Sequence, residues 1–140
     1  KFQTQTGGGV TSGMQVMDHD STLRDAGFNN CPDKDLNTSF TLAEEHVGVG
    51  VGKTTTTART ITLPSSTTAF PVGSTTLVTN EFTSGNITIN ASTNTRTLYW
   101  LDGSTRAGGA SANRTIGPGG VVTIRRRTAT IYQIFGSGIS

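Results

Sequence analysis

Histidine and carboxylate side chains meet at only two places in the sequence, Asp18-His19-Asp20 and Glu44-Glu45-His46. A metal or acid–base site needs groups that converge from different elements, or from one helix face four residues apart, whereas adjacent side chains diverge. Each cluster therefore reads as a solvated turn or a polar contact between subunits. Cys31 precedes Pro32 in a turn, no Gly-x-Ser-x-Gly elbow is present, and neither histidine has an evident serine or cysteine partner. Gly48-Val49-Gly50-Val51-Gly52-Lys53-Thr54 is similar to the end of a phosphate-binding loop. Val47 stands where the first glycine of that loop belongs, and Thr54 to Thr57 make a poor start for the helix that must face the phosphates. Glu44, Glu45 and Glu81 offer carboxyls for glycoside hydrolysis, but that chemistry works across an aromatic-lined groove. The chain has one tryptophan and two tyrosines, with Tyr99 and Trp100 adjacent and on opposite faces of one strand. The expectation is a non-enzymatic protein with no catalytic residue, no cofactor and no metal.

Composition narrows the partners. The 140 residues suit one domain with its own core. Threonine dominates and only 14% of residues are charged, so β-branched hydroxyl side chains fill strand faces that lysine and glutamate would otherwise cover. Such faces favour packing against neighbours. A net charge of +2 argues against a nucleic-acid partner, although Arg125-Arg126-Arg127 concentrates charge locally. The single cysteine leaves no intrachain disulfide, which is compatible with folding in a reducing cytoplasm. The apolar runs are a few residues long and no charged-then-apolar leader precedes Gly7-Gly8-Gly9, so no membrane partner is expected.

The elements that must position these residues fall into two regions. Residues 1–35 read as an extended N-terminal arm punctuated by the apolar anchors Met14, Val16, Met17, Leu23 and Phe28, and an arm of this kind lies on something. Residues 36–140 read as a β-domain. Candidate strands run over 40–42, 47–51, 59–63, 74–79, 86–91, 95–101, 121–126 and 129–135, with residues 42–47 open to a single helical turn instead. Strict alternation in Arg59-Thr60-Ile61-Thr62-Leu63 and Asn86-Ile87-Thr88-Ile89-Asn90 puts Ile61, Leu63, Ile87 and Ile89 inside and their threonines outside. Trp100, alone in an alternating strand, reads as a core residue. Short, regularly spaced strands with almost no helix predict an all-β fold, a β-sandwich or jelly-roll-like domain. A faint echo links Arg59-Thr60-Ile61 with Arg114-Thr115-Ile116. In Ile131-Tyr132-Gln133-Ile134-Phe135 both faces carry apolar bulk, which predicts cover by a second sheet on one side and a neighbouring subunit on the other, with Tyr132, Ile134 and Phe135 at the oligomer interface.

The last third carries a resemblance. Trp100-Leu101-Asp102-Gly103, then Arg114-Thr115-Ile116-Gly117-Pro118-Gly119-Gly120-Val121-Val122-Thr123-Ile124-Arg125, then Tyr132-Gln133-Ile134-Phe135-Gly136-Ser137-Gly138-Ile139-Ser140 resemble a small β-domain of tailed-bacteriophage virion proteins. Upstream, Ser39-Phe40-Thr41-Leu42-Ala43, Ala58 to Pro64 and Phe70-Pro71-Val72-Gly73 follow in the order of the same group, so the resemblance covers residues 36 to 140. It implies a virion structural protein made in the host bacterial cytoplasm. The expected role is a capsid decoration, or cement, protein that binds the outer shell as a homotrimer, with the major capsid protein or tail proteins as partners. Met14, Val16, Met17 and Phe28 on the arm would then attach to the capsid. The alternative is a tail-fibre or tailspike receptor-binding module that recognises a host surface glycan through Tyr99, Trp100, Tyr132 and the polar loop from Asp102 to Asn113.

Overall fold

The computed structural model describes residues 33–101 and 112–140 in full, together with the backbone of 15–17, 23–25 and 106–110. The chain divides into two compact units, Lys1–Asn30 and Cys31–Ser140. Within the first, β1 (Gln15–Met17) and β2 (Leu23–Asp25) pair antiparallel, with Val16 opposite Arg24. The side chains of the anchors Met14, Val16, Met17 and Phe28 lie outside the described residues.

The second unit is all-β, and the order of its strands is a coil. β3 (Asp33–Asp35), β5 (Gly50–Lys53) and β7 (Thr75–Asn80) pair in parallel as one branch. β4 (Phe40–Thr41), β6 (Arg59–Thr62) and β8 (Ile87–Asn90) pair in parallel as the other. Successive strands alternate between the branches, so the chain winds through three turns with two strands in each. A short 3₁₀ turn, Glu44–His46, sits between β4 and β5. β9 (Thr97–Leu101) and β10 (Arg106–Ala110) form an antiparallel pair.

β11 (Arg114–Arg126) joins the branches. Its first residues pair antiparallel with β8, and Val121 to Arg125 pair antiparallel with β7. β12 (Ile131–Ile139) pairs antiparallel with β11 from Arg126 back to Val121 and again at Ile116, and its first residues pair in parallel with β9 on the other edge. The register of the β11–β12 ribbon shifts between Ile116 and Val121, where Gly117-Pro118-Gly119-Gly120 relieves the pleat. Farther along, Gly136 adopts φ 137°, and a side chain there would overlap the Val121 carbonyl.

The all-β expectation holds, and in place of two separate sheets the described strands of this unit form one curled, mixed ten-stranded sheet that branches at β11. Both branches feed a single core. Ile61, Leu63, Ile87 and Ile89 enter from β6, β8 and their flanks, as their alternation predicts, and meet Val78, Val122, Ile124, Leu98, Tyr132 and Ile134. The strand expected over 47–51 lies at Gly50–Lys53, that over 121–126 begins at Arg114, and that over 129–135 runs to Ile139. Residues 106–110, read as loop, form β10, because two glycines and two alanines hide a strand that backbone pairing with β9 defines. The two Arg-Thr-Ile segments both pair with β8, in opposite senses: β6 runs parallel to it and β11 antiparallel.

Candidate functional site

The residues singled out for chemistry are scattered. Asp18, His19, Asp20 and Cys31 lie outside the described residues. Glu45 pairs with Lys34 at 2.7 Å, a contact that holds its carboxyl below the usual range, while Glu81 accepts a hydrogen bond from the Thr79 hydroxyl at 2.8 Å. Among the described residues, no three His, Cys, Asp or Glu side chains are grouped to hold a metal ion.

Lys53, the lysine of the phosphate-loop-like run, is fully buried. It follows Val51 on the inward face of β5, opposite Asn80 on β7. Its ammonium donates to the carbonyls of Thr55 and of Ser84 (2.9 Å) and to Asn80 Oδ1 (3.3 Å). Asn80 Nδ2 in turn donates to the carbonyls of Gly85 and Ile116, at 2.9 and 3.1 Å. Removal from water, aided by the Arg59 charge, lowers the Lys53 pKa. Committed to two loops of its own chain, this cation is turned inward and is a fastening, not a phosphate ligand.

Arg126 repeats the device at the other end of the sheet. It is also fully buried, and its five N–H donors go to five backbone carbonyls: Nε to Thr128, one terminal nitrogen to Ser66 and Phe70, the other to Ser65 and Ala129. The oriented carbonyl dipoles compensate the charge where a carboxylate would otherwise be needed. Tyr132, its register partner on β12, donates its hydroxyl to the Pro64 carbonyl at 3.0 Å, and burial pushes that phenol up to about 12. Tyr132 and Ile134 are thus placed within the chain's own core, which accounts for their apolar bulk, and of the three residues assigned to an oligomer interface Phe135 alone faces outward.

What β7, β11, β12 and β9 present outward is a broad face. Leu77, Thr123 and Phe135 form one row across it, Thr79, Val121 and Ser137 the next, and Thr75, Arg125, Gln133 and Tyr99 a third. Val121 is 45% and Phe135 38% exposed, both on central strands instead of an edge. Arg125 is the one charged side chain in these rows. On the opposite face of β9, Trp100 is half-buried with the Arg114 guanidinium 5.7 Å from its ring centroid, so it borders the core instead of filling it. Sequence reasoning missed Lys53 and Arg126 as core residues. Their neighbours gave the signal, since strict alternation from Val51 and from Ile124 carries both inward.

The chain matches no known protein-family model, and no curated protein is similar to it in sequence.

Proposed function

We propose that this chain is a non-enzymatic structural protein of a bacteriophage particle, a capsid decoration protein that binds the outer shell as a homo-oligomer. The outward face of β7, β11 and β12 carries the assembly part of this reading. Leu77, Val121 and Phe135 lie among threonines, with Arg125 in one flanking row and the Glu81 carboxylate on Thr79, and each is more stable against a matching surface than against water, at about 25 cal/mol per Å² of apolar area covered. A closed assembly in which the same patch recurs in every copy uses that surface fully. The viral setting rests on the motif resemblance of residues 36 to 140. Both buried cations serve the fold itself, which is consistent with a protein whose work is to hold shape.

The test is the molar mass in solution and the binding to purified shells, measured on the same preparations. The wild type is expected to be oligomeric and to cosediment with capsids, and Val121→Glu with Phe135→Glu to give a folded monomer. A wild-type monomer that ignores capsids would overturn the reading. The second reading, a tail-fibre or tailspike module for a host glycan, draws on Tyr99 and Trp100, consecutive half-buried rings on opposite faces of β9. It predicts that Trp100 fluorescence responds to host surface polysaccharide.

A further inference from the structure

We propose that the turn at His46 is an acid-released clasp that keeps the first turn of the coil closed. The strands it serves are short: β3 has three residues and β4 two, and among the described residues β3 pairs only with β5 and β4 only with β6. Few ladder bonds hold them, so side chains must contribute. The 3₁₀ turn supplies a hold on each. Glu45 takes Lys34 of β3 at 2.7 Å, and the His46 ring stacks on Phe40 of β4 with centroids 4.3 Å apart and planes 11° from parallel.

The proton-sensitive part is a single bond. The Ala43 N–H donates to His46 Nδ1 at 3.0 Å, so Nδ1 must carry a lone pair and the ring proton sits on Nε2. Protonation would place an N–H against an N–H and put a cation into a site 6% exposed. The charged groups around it come from two elements. Glu45 Oε1, 3.8 Å from Nε2, favours the imidazolium, and Lys34 on β3 opposes it. Glu44, on the same turn, is solvent-exposed, and β4 faces the ring with Phe40 and contributes no ionisable residue. Glu45 is exposed and already committed to Lys34, so its pull is screened and burial decides. The His46 pKa is lowered from its ordinary 6.5. The unfolded chain then binds the proton more readily, so the contribution of the neutral ring is complete above 6.5 and is lost as pH falls toward the lowered value. Acid therefore displaces the turn and loosens β3 and β4, which Leu36 and Leu42 still anchor in the core, so that the edges of β5 and β6 open more often to pairing with another strand.

Amide hydrogen exchange on the full chain, corrected for the intrinsic pH dependence and compared at about pH 7.5 and about pH 5, tests this. The reporters are Leu36 N–H, bonded to the Gly52 carbonyl, and Leu42 N–H, bonded to that of Thr62. Their protection is expected to fall roughly tenfold in acid, while Val78 and Ile124 in the sheet centre hold. His46→Asn keeps an acceptor near the Nδ1 position without a titrating ring and should remove the pH dependence. Equal protection of Leu36 and Leu42 at both pH values overturns the proposal, as does an unchanged acid response in His46→Asn. A direct titration of the wild-type imidazole by nitrogen chemical shift keeps the test decisive if that variant misfolds: a midpoint at or above 6.5 overturns the clasp and a lower one supports it.

Discussion

Arg126 lies over the ring of Tyr132, its guanidinium carbon 5.2 Å from the ring centroid, and the two reach the same loop from neighbouring strands. Arg126 takes the carbonyls of Ser65, Ser66 and Phe70, and Tyr132 takes that of Pro64. The connection from β6 to β7 is therefore fastened to the β11–β12 ribbon along most of its length. Arg126→Lys keeps the charge but loses the planar fork, so three donors must face five carbonyls. The expected cost is about 3 kcal/mol in a denaturant melt.

Tyr132→Phe isolates the hydroxyl. It should cost about 1 kcal/mol near neutral pH. Its alkaline signature is more specific: the folded pKa is raised to about 12 from 10.0, so stability from the neutral phenol is present below 10.0 and drains as pH rises toward 12. Melting temperature measured across that window should fall more steeply for wild type than for Tyr132→Phe.

Ile134 and Phe135 are neighbours with opposite fates. Ile134→Ala opens a void in the core and should cost about 3 kcal/mol, whereas Phe135→Ala, on the outward face, should change monomer stability by less than about 1 kcal/mol. Urea melts at concentrations low enough to dissociate any oligomer check both.

Two glycines separate backbone strain from steric closure. Gly119 has φ 75° with open space around it, so Gly119→Ala should cost about 1 kcal/mol from conformation alone. Gly136→Ala adds a methyl that collides with the Val121 carbonyl and would part β11 from β12. Its loss should be several times larger, visible as a lower thermal midpoint.

The alternating stretches were legible in the sequence because their period sets the side-chain face whatever the strands pair with. Ile61, Ile87, Ile89, Val122 and Ile124 are inside for that reason. Pairing order was not legible: nothing local in Gly50–Lys53 says that its neighbours are β3 and β7, since parallel partners lie a whole turn away. Polarity misled at Lys53 and Arg126, where charge suggests solvent and the strand period says core. The rows of Leu77, Val121 and Phe135 appear as a surface only once β7, β11 and β12 lie side by side, because each contributes one residue to it.

The bridging role of β11 also sets an order of events on the ribosome. β7 and β8 each keep an unpaired edge until residues 114–126 arrive, so the coil emerges first as an open spring with both branches unlatched. These pairings span long stretches of sequence and close slowly. While the nascent chain waits, its parallel edges are open to strands of other copies, and chaperone cover during that interval would govern how much of the protein reaches a closed form.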